Sequence, residues 1–298
     1  MMDILAAALA FFSEKIEKFI ELLTCDITTV QGGTVWAGIR VFFNAVLSVG
    51  MSIAAILILI NIIESTYKYT EIKRPTVFFR MLLEIVIFYT FMSHILDVLL
   101  LIYSFGTGLA KQALSSVGLM DTDGNIMIDI TLSQEARDVY DWSRWYEQIG
   151  LGAVIIILSV WIVIATVAVL LIVYGRLFNI FMLIAVSPLT FACSLSNSTR
   201  RVFYGYLKTF FSVVMEALVI VAAIYIFKIF AAVLTPEFTP QPGMSLVPHW
   251  FSIEIVPYDL DGAGEAMIGY LFEIGFLFAI LVSVIRASES LVNRIFGI

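Results

Sequence analysis

Residues 175–201 read GRLFNIFMLIAVSPLTFACSLSNSTRR. An apolar run is bracketed by Arg176 on one side and by Arg200 and Arg201 on the other, and Pro188 interrupts it. The reading of this run decides the fold. A complete membrane span here gives one topology, and a run broken at the proline gives another. Pro188 removes a backbone donor, and its ring crowds the preceding turn. In a membrane such a break needs protein or water around it to satisfy the freed groups. The pattern therefore predicts a helix over 177–196 broken near Pro188, a hairpin whose basic flanks, Arg176 and Arg200 with Arg201, share the cytoplasmic face.

The surrounding chain sets the class. Of 298 residues, 61% are hydrophobic and 14% charged, against the roughly 45–50% apolar content of soluble domains. Apolar runs at about 41–63, 81–104, 149–174, 177–196, 209–234 and 266–285 are each long enough to cross a hydrocarbon core of about 30 Å. The fold class expected is all-α, a polytopic transmembrane helical bundle. Its parts are an amphipathic surface helix within 1–32, a first transmembrane pair in 33–118, an extracytoplasmic loop at 119–148, a central region with the broken hairpin at 149–234, a second extracytoplasmic loop at 235–265, and a last helix with a cytoplasmic tail at 266–298.

The start, MMDILAAALAFF, lacks a basic leading region and a small-residue cleavage pattern, so it does not read as a removable signal peptide. Ile4, Ala8, Phe11, Phe12, Ile16, Phe19, Ile20 and Leu23 recur at helical spacing among Glu14, Lys15, Glu17, Lys18 and Glu21, which predicts an amphipathic helix lying on a membrane surface. In 119–148, alternating Ile126, Ile128, Ile130 and Leu132 predict a short half-buried strand. Asp121, Asp123 and Asn125 precede them, but Gly124 is misplaced for a calcium loop. Tyr140, Trp142, Trp145 and Tyr146 form an interfacial aromatic belt before the next span. Cys25 and Cys193 are the only cysteines. Neither a mutual disulfide nor a metal site is expected of them.

Orientation follows from Lys and Arg near span ends. Five spans from an outside N-terminus place ten such residues inside and four outside; six spans from an inside N-terminus give nine and five. Both arrangements put the C-terminus inside, and charge alone leaves the choice open.

Ionisable residues in apolar helices are functional suspects. Glu84 sits one turn from Arg80 and pairs with it; Lys228 snorkels. His94 and Asp97 share a helical face and would suit a proton relay or, as the favoured reading, a polar contact between helices. Glu216 and Glu273 are candidates for a wet cavity or for joining helices across a subunit interface. Ser212, Ala217, Gly269, Gly275 and Ser283 would serve such an interface as small or hydroxyl residues. Motifs of zinc proteases, serine hydrolases and phosphate-binding loops are absent from the sequence, so neither an enzyme nor a cofactor is expected.

Read onward, YGRLFNIFMLIAVSPLTFACSLSNSTRRVFYGYLKTFFSVVMEALVIV (174–221) resembles the central region of the VirB6/TrbL family, polytopic inner-membrane subunits of type IV secretion and conjugation machines. The residues that carry the resemblance are Arg176, Ser187, Pro188, Leu189, Ala192, Arg200, Arg201, Phe203 and Tyr206. Ser187 and Tyr206 depart from the family's frequent Ala and Trp. The resemblance implies a component of the translocation channel or platform in the bacterial cytoplasmic membrane, without catalysis, with an outside N-terminus and about five spans. Partners so implied are a secretion ATPase, a coupling protein, an extracytoplasmic stalk-like subunit, membrane lipid and transient DNA-protein cargo. A cyclic homo-oligomer is expected as well. The alternatives from other classes are a secondary transporter or small-solute channel, supported by the intramembrane ionisable residues, and a scaffold without a conduit.

Overall fold

The computed structural model describes residues 1–68, 75–120, 137, 145–196, 199–233 and 262–297. Seven helices run through the described residues: α1 Met2–Thr24, α2 Thr34–Lys68, α3 Pro75–Ser93, α4 Ile95–Ser116, α5 Trp145–Ala192, α6 Arg200–Val233 and α7 Gly262–Phe296. The fold is all-helical, as expected, and five helices are long and apolar enough to cross a membrane: α2, α4, α5, α6 and α7. The strand expected at 126–132, residues 140 and 142 of the aromatic belt, and the segment 235–261 lie outside the described residues. So do the side chains of Arg80, Glu84, Trp145 and Tyr146.

The break expected at Pro188 is not there. α5 is one helix of 48 residues that contains Pro188, so the runs 149–174 and 177–196 are a single element. At 1.5 Å per residue it rises about 72 Å, more than twice the hydrocarbon core. The helix survives its proline because the group the proline strands finds another donor. Pro188 cannot bond the carbonyl of Ile184, four residues back, and the Ser187 hydroxyl donates to that oxygen at 2.7 Å. One residue further back, Tyr206 Oη donates to the Leu183 carbonyl at 3.0 Å.

A second expectation also gives way. The run 81–104 is not one helix but α3 and α4, divided at His94. Thr90 Oγ1 donates to the Val86 carbonyl and Ser93 Oγ to the Thr90 carbonyl, and such bonds back onto the preceding turn bend helices. α4 ends in a Schellman motif. Gly118, at φ 65°, carries the left-handed turn, Leu119 N donates to the Leu114 carbonyl and Gly118 N to the Ser115 carbonyl.

The chain forms two compact units. The first comprises Met1–Leu23, Ala110–Tyr174 and Leu218–Ser288; the second comprises Thr24–Leu109, Gly175–Ala217 and Glu289–Ile298. In the first unit α1 is amphipathic, as its sequence predicts, but its apolar face is covered by protein. Leu5, Leu9, Phe12, Ile16, Phe19 and Ile20 are buried, and the Phe12 ring meets Phe227 of α6 and Phe278 of α7 at 5.6 and 4.6 Å. The face expected to enter lipid is therefore packed against α6 and α7.

In the second unit α5 and α6 form an antiparallel hairpin, for Phe191 meets Phe203, Leu183 meets Tyr206, and Arg176 meets Val213 and Val214. The turn between them is tied down by Asn61 of α2, whose Nδ2 donates to the Leu195 carbonyl at 2.6 Å. α2 approaches this hairpin closely at Gly50. A Cβ there would lie 2.8 Å from the Pro188 carbonyl oxygen, whereas one on Gly38 of the same helix meets nothing within 4 Å. Gly50→Ala is therefore expected to lower stability by about 1–3 kcal/mol through overpacking. Gly38→Ala should be neutral or stabilising by up to about 1 kcal/mol through helix propensity. Thermal unfolding in detergent micelles compares the two, and equal effects would remove the close approach as the cause.

Candidate functional site

The motif residues converge on the α5–α6 hairpin, and Arg176 is its least expected member. The sequence suggests a basic flank at the cytoplasmic face. Instead Arg176 is 4% exposed and lies within continuous α5, about 24 Å along the axis from the end at Ala192. The hairpin that would bring Arg176 and Arg200 to one face does not form.

The guanidinium of Arg176 is held by backbone. Its Nε donates to the Val213 carbonyl at 3.0 Å and an Nη to the Val214 carbonyl at 3.2 Å. These oxygens belong to α6, and a carbonyl has a second lone pair to offer beyond its helical bond. The Glu216 carboxylate and the neutral Tyr103 side chain lie near the cation. Tyr103 is itself placed by its hydroxyl, which donates to the Cys25 carbonyl at 3.1 Å. The adjoining turn of α4 comes close because of Gly106, where a Cβ would run into Val214 Cγ1 and lie 3.3 Å from the Val214 carbonyl oxygen. Four elements thus meet around one buried charge: the segment after α1, α4, α5 and α6.

Toward the turn, an aromatic column fills the hairpin. Phe191 lies 5.5 Å from Phe91, 4.9 Å from Phe203 and 5.8 Å from Tyr206. Ser187 and Ala192 are fully buried, and Leu189 is partly exposed. Thr199 Oγ1 donates to the Cys193 carbonyl, and Arg200 Nε reaches the Ser194 carbonyl at 3.5 Å. Arg200 and Arg201 are exposed.

The remaining candidates separate. His94 and Asp97 are neighbours as expected, with Nδ1 3.2 Å from Oδ2, and both side chains are exposed. Ser212 is buried and donates to Asn293 Oδ1 at 2.7 Å. Glu216 and Ala217 are buried. Gly275 serves a contact inside the chain, for its carbonyl accepts from Trp161 Nε1 at 3.2 Å and a Cβ there would be 3.0 Å from Leu158. Gly269 and Ser283 are exposed, and Glu273 is half-buried. Glu216 and Glu273 belong to different compact units. Cys25 and Cys193 are unbridged. Among the described residues no group of three His, Cys, Asp or Glu side chains is placed to hold a metal ion.

Sequence reasoning missed Tyr103, Gly106, Gly50 and Asn61. Gly50 and Gly106 did carry a signal, being isolated glycines inside apolar helices, where a close approach is the usual reason.

Together these features define a polytopic helical membrane protein organised around a hairpin with a buried arginine and a bridged proline. The profile of the family described as TrbL/VirB6 plasmid conjugal transfer protein matches residues 73–256, more than half of the chain, and the chain belongs to this family. No curated protein and no solved structure matches it.

The arrangement at Arg176 sets an order of substitutions. Arg176→Ala leaves Glu216 beside an unfilled site and is expected to cost about 3–5 kcal/mol. Arg176→Lys keeps the charge but not the planar fork that reaches two successive carbonyls, and should fall between Ala and wild type. Unfolding in micelles measures the order, and a lysine variant indistinguishable from wild type would show that the two carbonyl bonds contribute nothing.

Proposed function

We propose that this conjugal transfer component is part of the translocation channel or platform in the cytoplasmic membrane of a type IV secretion system, and that it has no catalytic activity of its own. The observation that carries the reading is the match of residues 73–256 to the family on a chain with five helices fit to cross a membrane. In this reading α2, α3 with α4, α5, α6 and α7 make five crossings, with the N-terminus outside and the C-terminus inside. With Arg176 buried, the basic residues near helix ends number nine inside and four outside, which favours that orientation. The secretion ATPase, coupling protein and extracytoplasmic stalk-like subunit are the proposed partners, and DNA-protein complexes the proposed cargo.

The test has two parts. Deletion of the gene should abolish conjugative transfer, and the full chain supplied in trans should restore it; unchanged transfer after deletion refutes the role. In a chain whose own cysteines are replaced, Ser116→Cys should react with a membrane-impermeant maleimide in intact cells. Ser194→Cys should react only after permeabilisation. The reverse pattern would sink the orientation.

A cyclic homo-oligomer completes the reading. Ser212, Glu216 and Gly275 are engaged within the chain, so the contact between copies falls to the outer face of α7. There Gly269 and Ser283 accompany the exposed Phe272, Phe276 and Ile280, and small residues allow helices to approach closely in lipid. Glu273→Lys on this helix should disperse the oligomer in native mass spectrometry, and an unchanged oligomer would remove α7 from the interface.

A further inference from the structure

His94 and Asp97 stand halfway along a membrane crossing with their side chains bare. The depth follows from α2, which has no ionisable residue between Arg40 and Glu64. Residues 41–63 rise about 34 Å, close to the depth of a hydrocarbon core, and Gly50, near their middle, lies against the Pro188 carbonyl. On the same hairpin Phe191 meets Phe91 at 5.5 Å. Further along, Gly106 reaches Val214, whose carbonyl also holds Arg176, so α3 and α4 run antiparallel to this part of α5. His94, one turn on from Phe91, is therefore about level with Pro188 and Gly50. Its Nδ1 lies 3.2 Å from Asp97 Oδ2, and the two side chains are 66% and 73% exposed. Among the described residues His94 Nε2 and Asp97 Oδ1 make no hydrogen bond. Asp97 belongs to the first turn of α4, where its charge suits the helix start, but that position does not cover it.

Lipid tails offer nothing to the open nitrogen and oxygen, and ionisable residues at membrane depth face protein or water. A second bare face at the same depth belongs to α2. Phe43, Gly50 and Ala54 of that helix are buried, while Ala45, Ser48 and Ser52 on the opposite side are exposed, with Asn44 beside them. The two serine hydroxyls donate to carbonyls of their own helix, whereas the Asn44 carboxamide makes no hydrogen bond among the described residues. Asn44 is six residues outward from Gly50 and Asp97 three outward from His94, a difference in height of about 4.5 Å, within the reach of an amide side chain. We infer that α2 of one copy lies on the division between α3 and α4 of the next, its Asn44 carboxamide bonding to His94 and Asp97. An amide carries both a donor and an acceptor, so it answers a carboxylate oxygen and a ring nitrogen alike, and Ala45, Ser48 and Ser52 let the helices approach closely. The occupant is a second copy because copies in a ring share one depth, and a head-to-tail contact joins two different faces of the same chain. The inference rests on the proposed cyclic assembly and adds to the α7 contact one made within the second unit.

Cross-linking between copies decides the matter. Two differently tagged full-length chains, each with Cys25→Ala and Cys193→Ala, are produced in one cell, the first with Ala45→Cys on α2 and the second with Leu101→Cys on α4. Leu101 is 69% exposed one turn from Asp97, so the pair itself is untouched. Oxidation with copper phenanthroline should give a mixed-tag dimer on non-reducing gels. Ile63→Cys paired with Leu101→Cys should give none, because those positions differ in height by about 30 Å. Equal yields from the two pairings would mark random collision and overturn the inference. Reaction of Leu101→Cys with a membrane-impermeant maleimide in intact cells would overturn it as well, since the face would then meet water. A second measurement uses the pair: Asp97→Leu should raise the protein concentration at which the oligomer falls apart by roughly tenfold, the weight of one or two interhelical hydrogen bonds, whereas Asp97→Asn should keep most of the association. Should the leucine variant fail to fold, the cysteine pairs still report. Native mass spectrometry of the wild type separates the two failures. A strictly monomeric wild type refutes the cyclic assembly, and an oligomer without the 45–101 cross-link refutes only this contact.

Discussion

The Arg176 guanidinium, held on the carbonyl oxygens of Val213 and Val214, is the contact around which the second unit is arranged. A cation removed from water needs its donors used and its charge answered. Two α6 oxygens meet the first need, and the nearby Glu216 carboxylate the second. The requirement fixes the register of the hairpin. A slip of one residue turns a helix by about 100°, which would carry the fork off those carbonyls. It also explains Gly106, since α4 reaches the same turn of α6 only where a side chain is missing. The charge sits where hydrophobic packing alone would favour a leucine, and it gives an apolar interface a single alignment.

Pro188 poses the complementary problem, an acceptor without its donor. The Ser187 hydroxyl answers it, and Tyr206 adds a donor one residue further back. Ser187 donates to the Ile184 carbonyl and Tyr206 to that of Leu183. Alanine has no hydroxyl to give, so the bridge over the proline depends on Ser187. Gly50 completes the arrangement by letting the α2 backbone close over the Pro188 carbonyl. The proline is thereby enclosed in protein, which is the condition for irregular backbone at membrane depth.

Much of this fold was legible in the sequence, because apolar runs of span length announce helices and amphipathic spacing announced α1. The boundaries were not. Gly175 followed by Arg176 has the look of a helix end, with a C-terminal glycine and a basic residue, and Pro188 has the look of a break. Both signals are local, whereas what keeps α5 continuous comes from α6, some 20–40 residues away in the chain. The division at His94 has the same character in reverse. The unbroken apolar pattern gives no sign of the division, beside which the hydroxyls of Thr90 and Ser93 bond back onto the preceding turn. For α1 the pattern revealed a helix with one apolar face but not what covers that face, since lipid and protein look alike to an aliphatic side chain. The motif residues were legible through resemblance. Tyr103 and Asn61 were not, because each acts through a contact distant in sequence.

Helix continuity bears on a question that counting charges left open. Six spans require the chain to turn between 174 and 177, and α5 has no turn there. Arg176, which both counts had treated as a topogenic charge, is buried and says nothing about sidedness. A positive charge reports orientation only while it sits at a span end, where it meets the cytoplasmic interface. Placed inside a helix with backbone carbonyls to grip, the same residue becomes part of the packing. Hydropathy therefore marks where lipid could be, and the charges are met in different ways: exposed and paired at His94 and Asp97, enclosed at Arg176, and paired along the exposed face of α1 at Glu14 and Lys18.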